Sequence, residues 1–290
     1  MIDRNILDES SFSSPLGVRG RLDKIKTDKS SFSSPFRGLG GRLIMISLAI
    51  LLSVFNATAQ KVNVAAAANL KYILEELKIV YLKQNPKAKV NLTFGASGML
   101  VQQISNGALF DFFMAADTDF PLKLKDKGLT TGPINTYAYG KLVIYSTSLE
   151  VDKLGLDALK NPTVKKIAIA NPETATYGTR SVELLKSLKL YDQLKSKLVI
   201  GENISQTAQF AFTGNAEIGF IALSLAIAPD MAGSGNYYII SPKLYSPIDQ
   251  ACVLIKTPVL NTEAVKFKKF VLSPANKAIW EKYGYSTPNP

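Results

Sequence analysis

The sequence predicts an α/β protein with two lobes, and three observations support this prediction. From Lys61 onward, short apolar runs alternate with amphipathic helical patterns in the order β-α-β-α-β-α, which is typical of a parallel sheet flanked by helices. A second unit with the same alternation begins near Lys166. Two strand-like runs, at 139–146 and 250–256, connect the units. We therefore expect two lobes, each a mainly parallel sheet flanked by helices, joined by two hinge strands beside a cleft.

The first lobe opens with a strand over 61–67 and a helix over 70–81. The helix is predicted because apolar residues recur at the spacing of one helix face, and these residues are Leu70, Ile73, Leu74, Leu77 and Tyr81. Asn85-Pro86 ends the helix, because the α conformation is disfavoured before a proline. The same patterns predict a strand at 90–94, a helix at 99–106, a strand at 110–116 and a helix at 119–127.

The second lobe is predicted from strands at 166–170, 197–200 and 217–222, with helices at 179–188 and near 203–212. The chain then returns through the strand at 250–256 to helices at 262–271 and around 280–283. We expect residues 60–142 together with 250–290 to form lobe 1, and residues 143–249 to form lobe 2.

An apolar run at 43–55 predicts that the chain is exported. The run is shorter than a membrane span, follows Arg37 and Arg42, and precedes the small residues Ala57-Thr58-Ala59, as in a secretory signal peptide. Gln60 is the expected first mature residue, and no cysteine stands at the cleavage point, so no lipid anchor is expected. Residues 1–59 are expected to be removed or disordered, and the predicted location is periplasmic.

Composition excludes several kinds of chemistry. The chain has no histidine, which excludes Ser-His-Asp and Cys-His catalytic arrangements and imidazole metal sites. Residues 1–59 hold 8 of the 34 basic and 5 of the 23 acidic residues, so residues 60–290 retain 26 and 18, a net charge of +8. Arg180 is the only arginine of those 26, which argues against a nucleic-acid partner. Cys252 lies in an apolar run and is expected to be a buried thiol.

Two strand-to-helix junctions form the candidate ligand site. They read Val64–Leu70 and Phe94–Leu100, and each combines small residues with one short polar side chain, Asn69 or Ser97, and no charge. A helix N-terminus offers unpaired N–H groups and the positive end of the helix dipole, so two adjacent ones could hold a small oxyanion. Asn and Ser are also common N-cap residues, and a purely structural role stays open.

Several short motifs also occur along residues 61–285, and their order and spacing together are more informative than any one of them. They are Ala66–Leu70, Phe94–Ser97, Gln103–Ala108, Phe113–Asp117, Gly140–Val143, Asn171–Glu173, Leu272–Pro274 and Tyr283–Tyr285. In this arrangement the chain resembles the periplasmic molybdate-binding proteins of molybdate ABC transporters. The resemblance implies a two-lobe periplasmic binding protein fold, type II-like, and a binding protein rather than an enzyme.

The resemblance further implies five ligand residues at positions that match. Asn69 and Ser97 match positions whose side chains bind the oxyanion, and Tyr177 matches one that offers a backbone N–H or a hydroxyl. Ile204 matches a position that offers a backbone N–H, and Ala68 would add another. No metal is expected to be bound directly, because the metal arrives as an oxyanion, and no cofactor is expected.

The expected function is capture of molybdate, and also tungstate, and its delivery by a monomer to a membrane ABC permease. A receptor for another oxyanion, such as sulfate or phosphate, is the alternative within the same class. A secreted hydrolase is a further alternative, with Asp111, Asp117 or Glu173 as carboxylate catalysts, although no paired-carboxylate motif supports it. Asp117 is more simply a cap for the helix that follows it. A structural or adhesion module would not need two uncharged junctions suited to an anion.

Overall fold

The computed structural model describes residues 61–288, which belong to one compact unit of the chain, Thr58–Pro290. The signal peptide predicted at 43–55, its cleavage site and the rest of segment 1–59 lie outside the described residues. In the described range, no helix is long and apolar enough to cross a membrane.

Residues 61–288 form ten strands and ten α-helices. The strands are β1 (Lys61–Ala67), β2 (Lys89–Gly95), β3 (Phe112–Ala115), β4 (Thr130–Tyr139), β5 (Leu142–Ser146), β6 (Ile167–Ala170), β7 (Leu198–Gly201), β8 (Ile218–Ala222), β9 (Asn236–Ile239) and β10 (Asp249–Ile255). The helices are α1 (Lys71–Gln84), α2 (Ser97–Ser105), α3 (Asp119–Asp126), α4 (Val151–Leu154), α5 (Thr176–Ser187), α6 (Tyr191–Leu194), α7 (Ile204–Phe212), α8 (Leu223–Ala226), α9 (Thr262–Val271) and α10 (Lys277–Lys282). A short 3₁₀ turn, Ala68–Leu70, joins β1 to α1.

The strands form two five-stranded sheets with the same architecture. Sheet 1 has the order β2-β1-β3-β10-β4, and sheet 2 has the order β7-β6-β8-β5-β9. In each sheet the first three strands are parallel and the last two pairings are antiparallel. The sheets are therefore mixed, with four of five strands running the same way. We call the elements around sheet 1 lobe 1 and those around sheet 2 lobe 2; the residue boundaries expected from the sequence stay a prediction.

The chain crosses between the sheets twice. The first crossing is Gly140-Lys141, between β4 and β5, and the second is the segment 240–248, between β9 and β10. The single strand predicted at 139–146 is therefore wrong, because Gly140 and Lys141 interrupt it. Each of the predicted hinge strands, β5 and β10, belongs to one sheet, and the crossings precede them.

Gly140 brings the two crossings together. Its N–H donates to the carbonyl of Ile248 at 2.9 Å. A Cβ at this position would overlap the hydroxyl of Tyr177 and lie 2.6 Å from Nε2 of Gln250. The absence of a side chain at Gly140 thus allows a residue of lobe 2 to approach a residue of lobe 1 across the crossing.

Sheet 1 is buried on both faces, as the alternation of side chains along β3 shows. Phe112 and Met114 belong to the core that includes α1 and α9, and Phe112 meets Phe267 edge to face at 6.3 Å. Phe113 and Ala115 belong to a second cluster with residues of α2 and α3. Full burial of a Phe side chain contributes about 1.5–3 kcal/mol. This two-sided packing fixes the carboxyl ends of the parallel strands, where the next residues form the site.

Candidate functional site

Four strand-to-helix junctions meet at one cavity. Two follow β1 and β2 of lobe 1, and two follow β6 and β7 of lobe 2, so all four lie at the carboxyl ends of parallel strands. The cavity is lined by Ala67, Ala68, Asn69, Gly95, Ala96, Ser97, Ala116, Ala175, Thr176, Tyr177 and Ile204. All five residues predicted from the sequence are therefore brought together here. Their role as ligand residues stays a prediction.

The cavity is small and uncharged. Its room for a water-sized sphere is about 10 Å³, comparable to the roughly 10–15 Å³ that one water needs by this measure. None of the lining residues carries a charge. Asn69, Ser97 and Tyr177 are each no more than 2% exposed, so these polar side chains are shielded from bulk water. Such a cavity fits a small polar solute that is held by neutral donors.

Helix N-termini at the cavity can supply such donors. The 3₁₀ turn, α2 and α5 all begin without a side-chain cap, so their first amides lack intrahelical partners. At α7, the side chain of Asn203 accepts from the amides of Ser205 and Gln206, and the amide of Ile204 is outside this cap. An anion in the cavity would meet the positive ends of four helical segments.

The interpretation of Asn69 and Ser97 as N-caps is wrong. The N-cap of α2 is Ala96, and Ser97 is the first helical residue. Asn69 lies inside the 3₁₀ turn, and α1 begins two residues later. The Oγ of Ser97 instead accepts a hydrogen bond from the amide of Ala116 at 3.0 Å. A hydroxyl that accepts in this way keeps its own hydrogen for another partner.

Asn69 is anchored on one side and unpaired on the other. Its Nδ2 donates to Oε1 of Gln250 at 2.9 Å and to the hydroxyl of Tyr285 at 2.7 Å. Its Oδ1 is buried and has no hydrogen-bond partner. An unsatisfied buried polar atom costs about 1–3 kcal/mol, and such atoms are uncommon.

Gln250 is the centre of a polar network that sequence reasoning missed. Its Oε1 also accepts from the hydroxyl of Tyr137 at 3.0 Å, and its Nε2 donates to that of Tyr177 at 3.4 Å. Burial raises the pKa of Tyr285 to about 12, and it raises the pKa values of Tyr137 and Tyr177 well above the usual value. All three phenols are therefore protonated at neutral pH and can donate hydrogen bonds.

Hydrogen bonds between the lobes surround the cavity. The hydroxyl of Thr176 donates to Oδ2 of Asp117 at 2.7 Å, and the amide of Gly98 donates to the carbonyl of Thr174 at 2.8 Å. The hydroxyl of Ser205 donates to the carbonyl of Ala68 at 3.1 Å.

A further bond of this kind reaches Asn69, whose carbonyl accepts from the hydroxyl of Ser224 at 3.0 Å. The two lobes are thus closed on one another at the site.

The carboxylates weighed as catalysts are not assembled. Asp117 accepts from the amide of Phe120 in the first turn of α3 at 3.1 Å, although the N-cap of this helix is Thr118 and not Asp117 as predicted. Asp111 accepts from the amide of Asn63 at 2.7 Å, and neither Asp111 nor the exposed Glu173 lines the cavity. Within residues 61–288, no group of three or more His, Cys, Asp or Glu could hold a metal ion.

Two residues singled out by composition have structural environments. Arg180 pairs with Glu183 at 2.7 Å and donates to the carbonyl of Pro247 on the second crossing at 3.3 Å. Cys252 is buried in β10, and burial raises its pKa to about 12. Neither residue lines the cavity.

Comparison with known proteins decides the family. Residues 62–286 match the family model described as "Bacterial extracellular solute-binding protein". The chain belongs to this family. Its members are solute-binding proteins rather than enzymes, which confirms the expectation that the chain is not an enzyme. A solute-binding protein of this family is extracytoplasmic, which agrees with the prediction that the chain is exported from the cytoplasm.

The relatives of this solute-binding protein share most of its length. The molybdate-binding protein ModA of Rhodobacter capsulatus is 36% identical over 233 residues, 80% of this chain and 90% of that protein. ModA of Azotobacter vinelandii is 37% identical over 244 residues, 83% of this chain and 96% of that protein. The solved structure of the Azotobacter vinelandii periplasmic molybdate-binding protein aligns with a TM-score of 0.73 at 31% identity, covering 79% of this chain and 100% of that one. The predicted two-lobe fold is confirmed.

Proposed function

We propose that this chain captures molybdate outside the cytoplasm and delivers it to a membrane ABC permease. The observation that carries the proposal is the uncharged cavity at which four helical N-termini meet. The two relatives described above, which are 36% and 37% identical to this chain, are both named molybdate-binding proteins. A tetrahedral dianion with four acceptor oxygens matches a cavity that offers donors and no cation.

The proposed donors are the hydroxyl of Ser97, the side-chain amide of Asn69, and the backbone N–H groups of Ala68, Tyr177 and Ile204. Ala68, Asn69 and Ser97 belong to lobe 1 and the other two residues to lobe 2, so the anion would contact both lobes. Tungstate has the same shape and charge as molybdate and is proposed to bind as well. A smaller oxyanion would leave some donors unpaired, which lowers its affinity.

The finer parts of the cellular assignment are also proposals. We infer a periplasmic protein released by cleavage of the signal peptide before Gln60, without a lipid anchor, that acts as a monomer without a cofactor or a nucleic-acid partner. Mass spectrometry of the N-terminal peptide from exported protein tests the cleavage site. A lipid-modified N-terminus, or a chain that retains residues 43–55, would contradict it.

Calorimetric titration of residues 60–290 with molybdate, tungstate, sulfate and phosphate tests the ligand. We expect tight binding of molybdate and tungstate, and weaker or no binding of sulfate and phosphate. Molybdate should also raise the melting temperature, because a ligand at 100 times its Kd stabilises the folded state by about 2.7 kcal/mol. Tighter binding of sulfate or phosphate than of molybdate would assign the protein to another oxyanion. No binding of any of the four would overturn the proposal.

A further inference from the structure

The amide of Asn69 is oriented the wrong way for an anion. Its buried Oδ1 has no partner, whereas both contacts of its Nδ2 are made to groups outside the cavity lining, Gln250 and Tyr285. A carbonyl oxygen repels an oxyanion, and a cavity for an anion needs the N–H₂ group instead. Gln250 opposes that orientation, because its Oε1 must accept from Nδ2 of Asn69.

A second arrangement of the same atoms removes the conflict. If the amides of Asn69 and Gln250 both turn by 180°, Gln250 donates through Nε2 to Oδ1 of Asn69 and to the hydroxyl of Tyr137. The hydroxyl of Tyr285 then donates to Oδ1 of Asn69 and no longer to the carbonyl of Asn69 or Oγ of Ser224, both 3.0 Å away. The hydroxyl of Tyr177 donates to Oε1 of Gln250. The contacts of the two amides persist with donor and acceptor exchanged, and Nδ2 of Asn69 becomes free to bind the anion.

The hydrogen bonds of Tyr137 are better satisfied in the turned arrangement. Tyr137 has one hydroxyl hydrogen, but its oxygen lies 2.8 Å from the carbonyl of Ala115 and 3.0 Å from Oε1 of Gln250. After the turn, Tyr137 donates to Ala115 and accepts from Gln250, so both contacts are satisfied. Oδ1 of Asn69 also gains partners, and the carbonyl of Asn69 keeps its hydrogen bond from the hydroxyl of Ser224 at 3.0 Å.

We propose that Gln250 is a positioning residue for the anion site, which it does not line. Its amide and that of Asn69 turn together when the ligand binds, and the orientation of Gln250 decides whether Asn69 presents a donor or an acceptor. This inference rests on the proposed function. It also limits the contribution of Tyr177 to its backbone N–H, because the phenol hydrogen is used by Gln250.

A double-mutant cycle with molybdate as the probe tests the coupling. Glutamate at position 250 can only accept when ionised, so Gln250→Glu should hold Nδ2 of Asn69 away from the cavity and weaken molybdate binding roughly 10- to 100-fold. Gln250→Met removes the constraint without adding charge, and should weaken binding only a few-fold. In an Asn69→Ala background, Gln250→Glu should add only a few-fold further loss, because the amide that it misdirects is gone.

The pattern of these losses separates the possible outcomes. If the losses of Gln250→Glu and Asn69→Ala multiply, the glutamate acts by charge repulsion alone and the proposal is overturned. Failure of the unmutated protein to bind molybdate would refute the proposed function instead.

Side-chain amide signals in ¹H–¹⁵N spectra provide a readout that a purely structural role would not move, and this readout does not need Gln250→Glu to fold. The signals of Asn69 and Gln250, assigned by their loss in Asn69→Ala and Gln250→Met, should both shift when molybdate saturates the protein. The side-chain amide of Asn276 is an internal control. It is buried, donates to the carbonyl of Phe270 and lies outside the cavity lining. Unchanged Gln250 signals in a molybdate-saturated protein would overturn the proposal.

Discussion

The two lobes have the same sheet, but they support the site in different ways. In lobe 1, Asn69 and Ser97 are held by partners of their own lobe, among them Gln250 and the amide of Ala116. In lobe 2, three hydroxyls reach across to acceptors of lobe 1, and they belong to Thr176, Ser205 and Ser224. We call lobe 1 the preformed half because these contacts do not depend on closure, although the proposed turn of the Asn69 amide must still accompany binding. Lobe 2 completes the site by bonds that exist only when the lobes are closed.

The largest effect is expected on the preformed side. Ser97→Ala removes a hydroxyl donor to the anion and leaves the buried amide of Ala116 without its acceptor. Molybdate binding should weaken by about 1.5–3 kcal/mol, the range for hydrogen bonds to charged groups. Calorimetry measures the loss, and Ser187→Ala is the matched control, because Ser187 donates to carbonyls of Leu184 and Leu244 outside the cavity. Equal affinity of Ser97→Ala and the unmutated protein would exclude lobe 1 as the preformed half.

A smaller effect is expected on the closing side. Ser205→Ala removes one bond between the lobes, from its hydroxyl to the carbonyl of Ala68, and no proposed contact to the anion. Affinity should fall by about 0.5–1.5 kcal/mol, the net contribution of a neutral hydrogen bond. The loss should appear mainly as faster dissociation in stopped-flow measurements, because the bond forms only after closure. A loss as large as that of Ser97→Ala would mean that the two halves are equally important for capture.

The smallest effect is expected at the only arginine of residues 60–290. Arg180 lies outside the cavity lining and pairs with Glu183 beside the second crossing. Arg180→Met should leave the Kd for molybdate within about twofold, because partly exposed ion pairs contribute about 0–1 kcal/mol. Titration at two salt concentrations measures this. A tenfold loss would show that the anion depends on a positive charge and that neutral donors do not suffice.

Local patterns predict the elements that pack by one regular face. The apolar spacing from Ile73 to Tyr81 predicts α1, and Asn85 is its C-cap. The helix predicted at 262–271 has the same bounds as α9. Strand β4 was missed because Gly132 and Pro133 are unusual within strands. Both are tolerated here because β4 is an edge strand with irregular pairing to β10.

The candidate site was predictable only as far as topology determines it. Parallel strands place their carboxyl ends together, so the junctions at Asn69 and Ser97 could be expected to meet. The partners of Asn69 could not, because Ser224, Gln250 and Tyr285 are 155, 181 and 216 residues away along the chain. A hydrogen bond at such separation leaves no periodic trace in the sequence.

The absence of charge in the cavity lining has a consequence for unloading. Tyr177 is the only lining residue with a titratable side chain, and burial raises its pKa well above the usual value. Acidification therefore cannot remove a donor of the lining. Opening of the lobes, which breaks the hydroxyl bonds from Thr176, Ser205 and Ser224, is the step expected to release the proposed anion. A partner that binds the open form more tightly than the closed form would favour that release.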